Sequence, residues 1–179
     1  MKFIVKNIPN ILTVLRITAV PVFIVLMLNN EFYPAIAVFL LAEITDVLDG
    51  IIARRYDLIT PFGKVADPVA DKLMQLSALF MFSIKDMIPK IIPWLFFGKE
   101  FFMLVSGIYL IRKKIDTSSK WFGKLTSVIL FISIMLVFLE VPRTITDAIF
   151  WVCVVMSLFA ALMYIRNYLK NVKQKTENI

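Results

Sequence analysis

Long apolar runs separated by short polar breaks make up most of this chain. The runs cover 8–28, 32–53, 65–84, 88–111, 125–139 with its flanks, and 145–169. At roughly 20 apolar residues per bilayer crossing, they predict six transmembrane helices with little chain left for a soluble domain. Asn29, Asn30 and Glu31 break the first pair, Lys85 and Asp86 a later one, and Val141, Pro142 and Arg143 the last. Such short breaks make consecutive helices antiparallel neighbours. The expected architecture is a single all-α domain over 1–179, with 170–179 as a polar tail that frays. No internal repeat or low-complexity tract interrupts it.

Composition strengthens the membrane reading. Of 179 residues, 60% are hydrophobic, sixteen are Phe, and the mean hydropathy is +0.83, well beyond a soluble domain. The formal charge of +7 raises the question of nucleic acid, but the basic residues sit at helix ends rather than along a soluble face. Anionic lipid headgroups are the partner this fits, and nucleic acid is not expected. With the N-terminus inside, Lys2, Lys6, Arg54, Arg55, Lys64, Arg112, Lys113, Lys114, Lys120, Lys124 and the basic residues of 166–175 all fall on one side. Only Lys85, Lys90 and Arg143 fall on the other. The positive-inside rule then puts both termini in the cytoplasm, in a multi-pass protein of the cytoplasmic membrane. Arg16 interrupts the first apolar run and no small-residue cleavage site follows, so the N-terminal segment is expected to be retained.

Histidine is absent, which removes His-based catalysis and two-His metal sites; the one cysteine, Cys153, reads as a small buried apolar residue. Carboxylates alone remain for general-base work. Asp46 and Asp49 lie about 60° apart around a helix, Asp67 and Asp71 about 40° apart, so each pair shares a face. Two such helices joined by a short loop would aim four carboxylates at one spot facing the cytoplasm. Each acid inside a bilayer costs roughly 2.5–3.5 kcal/mol on insertion scales, and the four repel one another. Divalent cations remove both objections, so the cluster predicts a metal site.

The neighbours of the cluster extend the pattern. Gly50 and Ala53 leave one side of the second helix almost without bulk, which serves either helix packing or a large ligand. Arg54 lies four residues after Gly50, and its planar guanidinium suits phosphate oxygens, whereas Arg55 reads as an interfacial anchor. Thr60 and Pro61 sit in the connecting loop, and Gly63 opens the third helix, with Asp67, Pro68 and Asp71 expected in its first turns. Asn10, Thr13 and Arg16 recur every three residues along the first span. That polar edge serves either interhelical hydrogen bonding or ligand contact, with Arg16 favouring an anion. Lys99 and Glu100 stand near the middle of the fourth span; as neighbours they should not face each other, but should pair with other helices or line a wet pocket. Glu43, one turn before Asp46, ranks below the four aspartates.

Asp46, Asp49, Gly50, Ala53, Arg54, Gly63, Asp67 and Asp71 together fit D-x-x-D-G-x-x-A-R, an eight-residue gap, then G-x-x-x-D-x-x-x-D. This resembles the signature of the CDP-alcohol phosphotransferases at every specified position. The opening N-I-P-N-I-L-T-V-L-R-I followed by Pro21, and D-P-V-A-D-K-L, resemble bacterial phosphatidylglycerophosphate synthases. The resemblance implies six helices around a cytoplasm-facing site for CDP-diacylglycerol and one or two Mg2+ or Mn2+ ions. It gives Asp46, Asp49 and Asp67 to metal, and Asp71 to metal and to the role of base. Gly50, Ala53, Arg54, Thr60 and Gly63 would contact the CDP group, with Asn10 and Thr13 closing over it. Those synthases often carry Arg-Glu-Phe in the fourth span and a second Arg eight residues on, where this chain has Lys99, Glu100, Phe101 and Gly107. Gly123 to Thr126 resembles their G-K-x-K-T run, with Leu125 in place of the second Lys. Arg16, Lys99, Arg112, Lys120 and Lys124 are the cations available to an anionic acceptor. A homodimer is a family expectation.

The implied reaction is transfer of the phosphatidyl group to glycerol-3-phosphate with release of CMP. A cardiolipin synthase using phosphatidylglycerol, or another phosphatidyltransferase of the superfamily, is the nearest rival. A carboxylate-lined cation transporter is the rival of a different class, disfavoured because all four aspartates gather at one membrane end.

Overall fold

Among the described residues of the computed structural model, which are 2–55, 61–113 and 120–177, every element is helical and no strand occurs. Six helices run in order: α1 (Lys2–Leu28), α2 (Phe32–Arg55), α3 (Pro61–Ile84), α4 (Ile91–Lys113), α5 (Lys120–Phe138) and α6 (Arg143–Glu177). The three polar breaks end helices as the pattern predicts, and each does so with one left-handed residue. Asn30, Asp86 and Glu140 take φ of 63°, 55° and 54°. After α1, the amide of Glu31 donates to the Leu26 carbonyl at 2.9 Å and that of Asn30 to Met27 at 3.2 Å. Val141 to Leu136 and Glu140 to Val137 repeat the motif after α5. These paired bonds satisfy the carbonyls that a helix end leaves over, without glycine.

Three helix bounds differ from the hydropathy pattern. α1 begins at Lys2 rather than near residue 8, and α6 continues to Glu177 through the stretch expected to fray. Hydropathy marks the bilayer-compatible segment, while the hydrogen-bond ladder runs on until a breaker stops it, and 143–177 contains neither Gly nor Pro. α3 begins at Pro61, the favoured first-turn position for proline, so Asp67 and Pro68 lie two turns into the helix and not at its start. Pro68 therefore removes one rung of the ladder inside α3.

Among the described residues, two helical segments are long and apolar enough to cross a membrane: Asn10–Leu28, with mean hydropathy 2.5, and Arg143–Met163, with 2.2. Leu125–Phe138 is apolar but shorter. α2, α3 and α4 have 24, 24 and 23 residues, long enough to span, but charged residues such as Asp46, Asp71 and Lys99 interrupt their apolar windows. Large apolar side chains nevertheless face outward on α2 and α4 as they do on α1 and α6: Leu41, Ile44, Val47, Trp94, Phe97, Phe101, Val155 and Leu162 are all exposed. Such an outward apolar surface suits a membrane-associated protein.

The chain divides into two compact units, Met1–Phe82 and Ser83–Ile179. In the first, α1 packs along α2. Ala35 and Ala42 are buried small residues that let two backbones come close, and the rings of Phe23 and Phe39 meet with centroids 6.1 Å apart. α3 buries Ala70, Met74, Ala78 and Phe82, a stripe at four-residue spacing. In the second unit, α6 packs on α5 and α4, with Ile134, Phe150 and Val154 buried. Cys153 is buried there, its Sγ 3.7 Å from the Thr126 carbonyl, as expected of a small apolar residue.

Candidate carboxylate site on the first three helices

Three-residue spacing puts Asp46 and Asp49 on one face of α2, and the same spacing puts Asn10, Thr13 and Arg16 on one face of α1. The packing of α1 on α2 brings these faces together. Arg16, only 2% exposed, reaches across. Its Nη1 lies 2.5 Å from Asp46 Oδ1 as an ion pair, its Nη2 donates to Asp49 Oδ2 at 2.5 Å, and its Nε donates to the Ala42 carbonyl at 3.3 Å. The fork of a guanidinium thus spans two carboxylates one turn apart, which an ammonium could not do. Asp49 is buried at 3% exposure, while the Asp46 side chain stays 36% exposed. Removing one partner from a buried ion pair of this kind costs on the order of 3–5 kcal/mol.

One turn before Arg16, the Thr13 hydroxyl donates to Asp67 Oδ1 of α3. Asp71, one turn further along α3, is held within its own helix. Gln75 Nε2 donates to its Oδ1 at 2.9 Å, and Lys72 Nζ lies 3.1 Å from its Oδ2 while also reaching Gln75 Oε1 at 3.1 Å. Gln75 is buried. The polar edge of α1 is therefore interhelical in this structure, and the anion that Arg16 meets belongs to the protein.

Among the described residues, no three carboxylates close to metal-holding distance. The four aspartates nonetheless share one electric field: Asp46 is repelled by Asp67 and Asp71, and Asp49 by Asp46 and Asp67, with Arg16 attracting both. Glu43 feels Asp71 and Asp46 as well. As a donor set, these hard carboxylate oxygens fit Mg2+ or Mn2+, and each carboxylate keeps lone pairs beyond the contacts described.

Of the remaining sequence candidates, Gly50 falls on α2, one residue after Asp49, and Asn10 on α1. Ala53 and Arg54 belong to α2 and Gly63 to α3, with their side chains outside the described set, and Thr60 lies outside the described residues. The same holds for the side chains of Arg112 on α4 and of Lys120 and Lys124 on α5. Lys99 and Glu100 differ from expectation: Nζ and Oε1 pair with each other at 2.6 Å, and Nζ lies 5.9 Å from the Phe96 ring centroid. Adjacent Cβ atoms point apart, but four methylenes on one side and two on the other let the charged ends curl together, which lowers the cost of carrying them in an apolar helix. Gln75 was missed in the sequence, although its place four residues after Asp71 is the spacing at which helix side chains meet.

The family model for CDP-alcohol phosphatidyltransferase matches residues 6–159, from α1 into α6. The chain belongs to the CDP-alcohol phosphatidyltransferase family. Among the relatives of this chain, the CDP-diacylglycerol--glycerol-3-phosphate 3-phosphatidyltransferase of Rickettsia typhi is 45% identical over 106 residues, covering 58% of each chain. The protein of that name from Aquifex aeolicus is 30% identical over 132 residues, covering 73% of each. A probable phosphatidylglycerophosphate synthase of Mycobacterium tuberculosis is 36% identical over 127 residues, which is 68% of this chain and 60% of the relative. The chain thus matches 58% of the length of its Rickettsia relatives. The resemblance drawn from the D-x-x-D-G-x-x-A-R motif is borne out at the level of the family.

Proposed function

We propose that this protein is an integral membrane phosphatidyltransferase that moves the phosphatidyl group of CDP-diacylglycerol to glycerol-3-phosphate, forming phosphatidylglycerophosphate and CMP. The observation that carries the reading is the acidic cluster of α2 and α3, crossed by Arg16 and Thr13 of α1, inside a family match of 154 residues whose relatives bear that activity in their names. The single match runs through both compact units, which supports one functional domain. Six spans, both termini and the site on the cytoplasmic side, and a homodimer complete the proposal; the placement of the basic residues supports the orientation.

One or two Mg2+ or Mn2+ ions would be held by Asp46, Asp49, Asp67 and Asp71, supplying charge neutralisation at the diphosphate and at departing CMP. Asp71 takes the proton of the acceptor hydroxyl, whose oxygen forms the new bond to the lipid-linked phosphorus as the bond to CMP breaks. Gln75 and Lys72 fix the two oxygens of Asp71, so the base is oriented before substrate arrives. Gly50, Ala53, Arg54, Thr60 and Gly63, with Asn10 and Thr13, are the proposed contacts of the CDP group. Lys99, Arg112, Lys120 and Lys124 are the proposed cations for an anionic acceptor.

Purified protein given CDP-diacylglycerol and Mg2+ should release CMP with glycerol-3-phosphate as acceptor. Product formed with phosphatidylglycerol and not with glycerol-3-phosphate would replace this reading with a cardiolipin synthase.

A further inference from the structure

Arg16 stands on one oxygen of each of two carboxylates that a metal would use. Its Nη2 donates to Asp49 Oδ2 and its Nε to the Ala42 carbonyl, while Nη1 lies beside Asp46 Oδ1 as an ion pair without a hydrogen bond, and the group is buried to 2% exposure. A guanidinium cannot shed its proton, so the positive charge is permanent. Asp49 is buried beside it at 3% exposure, with Asp46 and Asp67 adding to the negative field. A buried carboxylate such as Asp49 needs a counter-charge whether or not a metal is bound.

We infer that Arg16 is the resident counter-cation of Asp46 and Asp49, displaced from at least one of them when a divalent cation binds, so that it sets the metal affinity of the site. The inference rests on the metal reading proposed above. Three features of the geometry point to displacement. The arginine comes from α1, a different helix from both carboxylates, so its guanidinium can withdraw without unwinding α2. Asp46 is the more open of the two carboxylates, which makes it the side on which an ion enters. A guanidinium offers only donors to oxygens that a hard dication binds directly, so the two compete for Oδ1 of Asp46 and Oδ2 of Asp49. The exchange keeps the folded protein neutralised in the ion-free state and charges each metal-binding event with breaking an ion pair.

The test measures Mn2+ affinity by electron paramagnetic resonance of free Mn2+, using the full chain in detergent with Arg16, Arg16→Met and Arg16→Lys. Arg16→Met removes the competitor and should bind Mn2+ tighter by about tenfold or more, the scale of a typical coupling between two ligands at one site. Arg16→Lys, which cannot span both carboxylates, should show a smaller gain. Melting in EDTA supplies a second readout: Arg16→Met should melt below the parent, and Mn2+ should restore it further than it raises the parent. Unchanged or weaker Mn2+ binding in Arg16→Met overturns the inference, and if that variant does not fold with or without Mn2+, unchanged binding in Arg16→Lys does so. No Mn2+ binding in any of the three proteins would sink the metal reading itself, and the inference with it. Loss of phosphatidyl transfer alongside tighter Mn2+ binding would leave the inference standing.

Discussion

The two compact units handle charge in different ways. In Met1–Phe82, charged and polar side chains reach between helices: Arg16 joins Asp49, 33 residues away in sequence, and Thr13 joins Asp67, 54 residues away. In Ser83–Ile179, the described ion pairs stay on one helix or within one turn, as with Lys99 and Glu100, Arg143 and Asp147, or Lys90 and Asp86. Ser133 and Thr146 likewise return their hydroxyls to carbonyls of their own helices, Ile129 and Arg143. Local pairing makes a polar residue tolerable in a membrane helix but ties nothing to a neighbour. Long-range pairing fixes helices against one another and sets carboxylates at defined positions, as a reacting site requires. Among the described contacts, the carboxylates met from another helix lie on α2 and α3, facing α1.

The largest effect should come from Asp71→Asn. The change keeps size and removes the proposed base, so kcat should fall by about a hundredfold to ten-thousandfold while CDP-diacylglycerol binding holds. Initial rates and a liponucleotide binding isotherm check it; near-parental turnover would take the base away from Asp71 and weaken the contrast between the units. Gln75→Leu comes next. It deletes the 2.9 Å bond that holds Asp71 Oδ1, and kcat should drop by about tenfold with KM for CDP-diacylglycerol unmoved. A rise in KM without a loss of kcat would mean that Gln75 acts through packing and not through the orientation of the base.

Lys99→Met probes the second unit from the other direction. If its proposed part in holding the acceptor is right, KM for glycerol-3-phosphate should rise several-fold, on the scale of about 1 kcal/mol for one partly exposed charge, with KM for the liponucleotide unchanged. Equal KM values for both substrates would leave Lys99 as a neutralised scaffold charge paired to Glu100.

The apolar runs were enough to draw six helices and to place their breaks, because a span must be apolar and a break must be polar. The starts of α1 and α3 and the end of α6 were not legible, since hydropathy reports the solvent a segment prefers and says nothing of where the helical ladder stops. Asp46, Asp49, Asp67 and Asp71 stood out because isolated acids are costly in such a chain. The contact of Arg16 with two of them was not legible, because it depends on how α1 lies against α2, and the polar edge of α1 read equally well as ligand contact. The pairing of Lys99 with Glu100 was not legible either, because Cβ directions do not fix where the charged ends of long flexible side chains meet.

The smallest effect should follow Arg143→Ala. Arg143 Nε lies 3.5 Å from Asp147 Oδ2, four residues on in α6, and the arginine side chain is 59% exposed. An i,i+4 pair in contact with solvent contributes a few tenths of a kcal/mol, most of which salt screens. Melting temperature should therefore shift by roughly 2 °C or less, and phosphatidyl transfer should be unchanged at saturating substrates. Measured beside Arg16→Met, which breaks the buried pair in the first unit, this variant calibrates the contrast. Both remove one arginine from carboxylate contact, and the ratio of their effects measures how much burial and cross-helix reach add to the same chemistry. A shift for Arg143→Ala as large as that for Arg16→Met in EDTA would mean that the local pairs of the second unit hold the fold as strongly as the long-range ones of the first, and the division of labour between the units would fall.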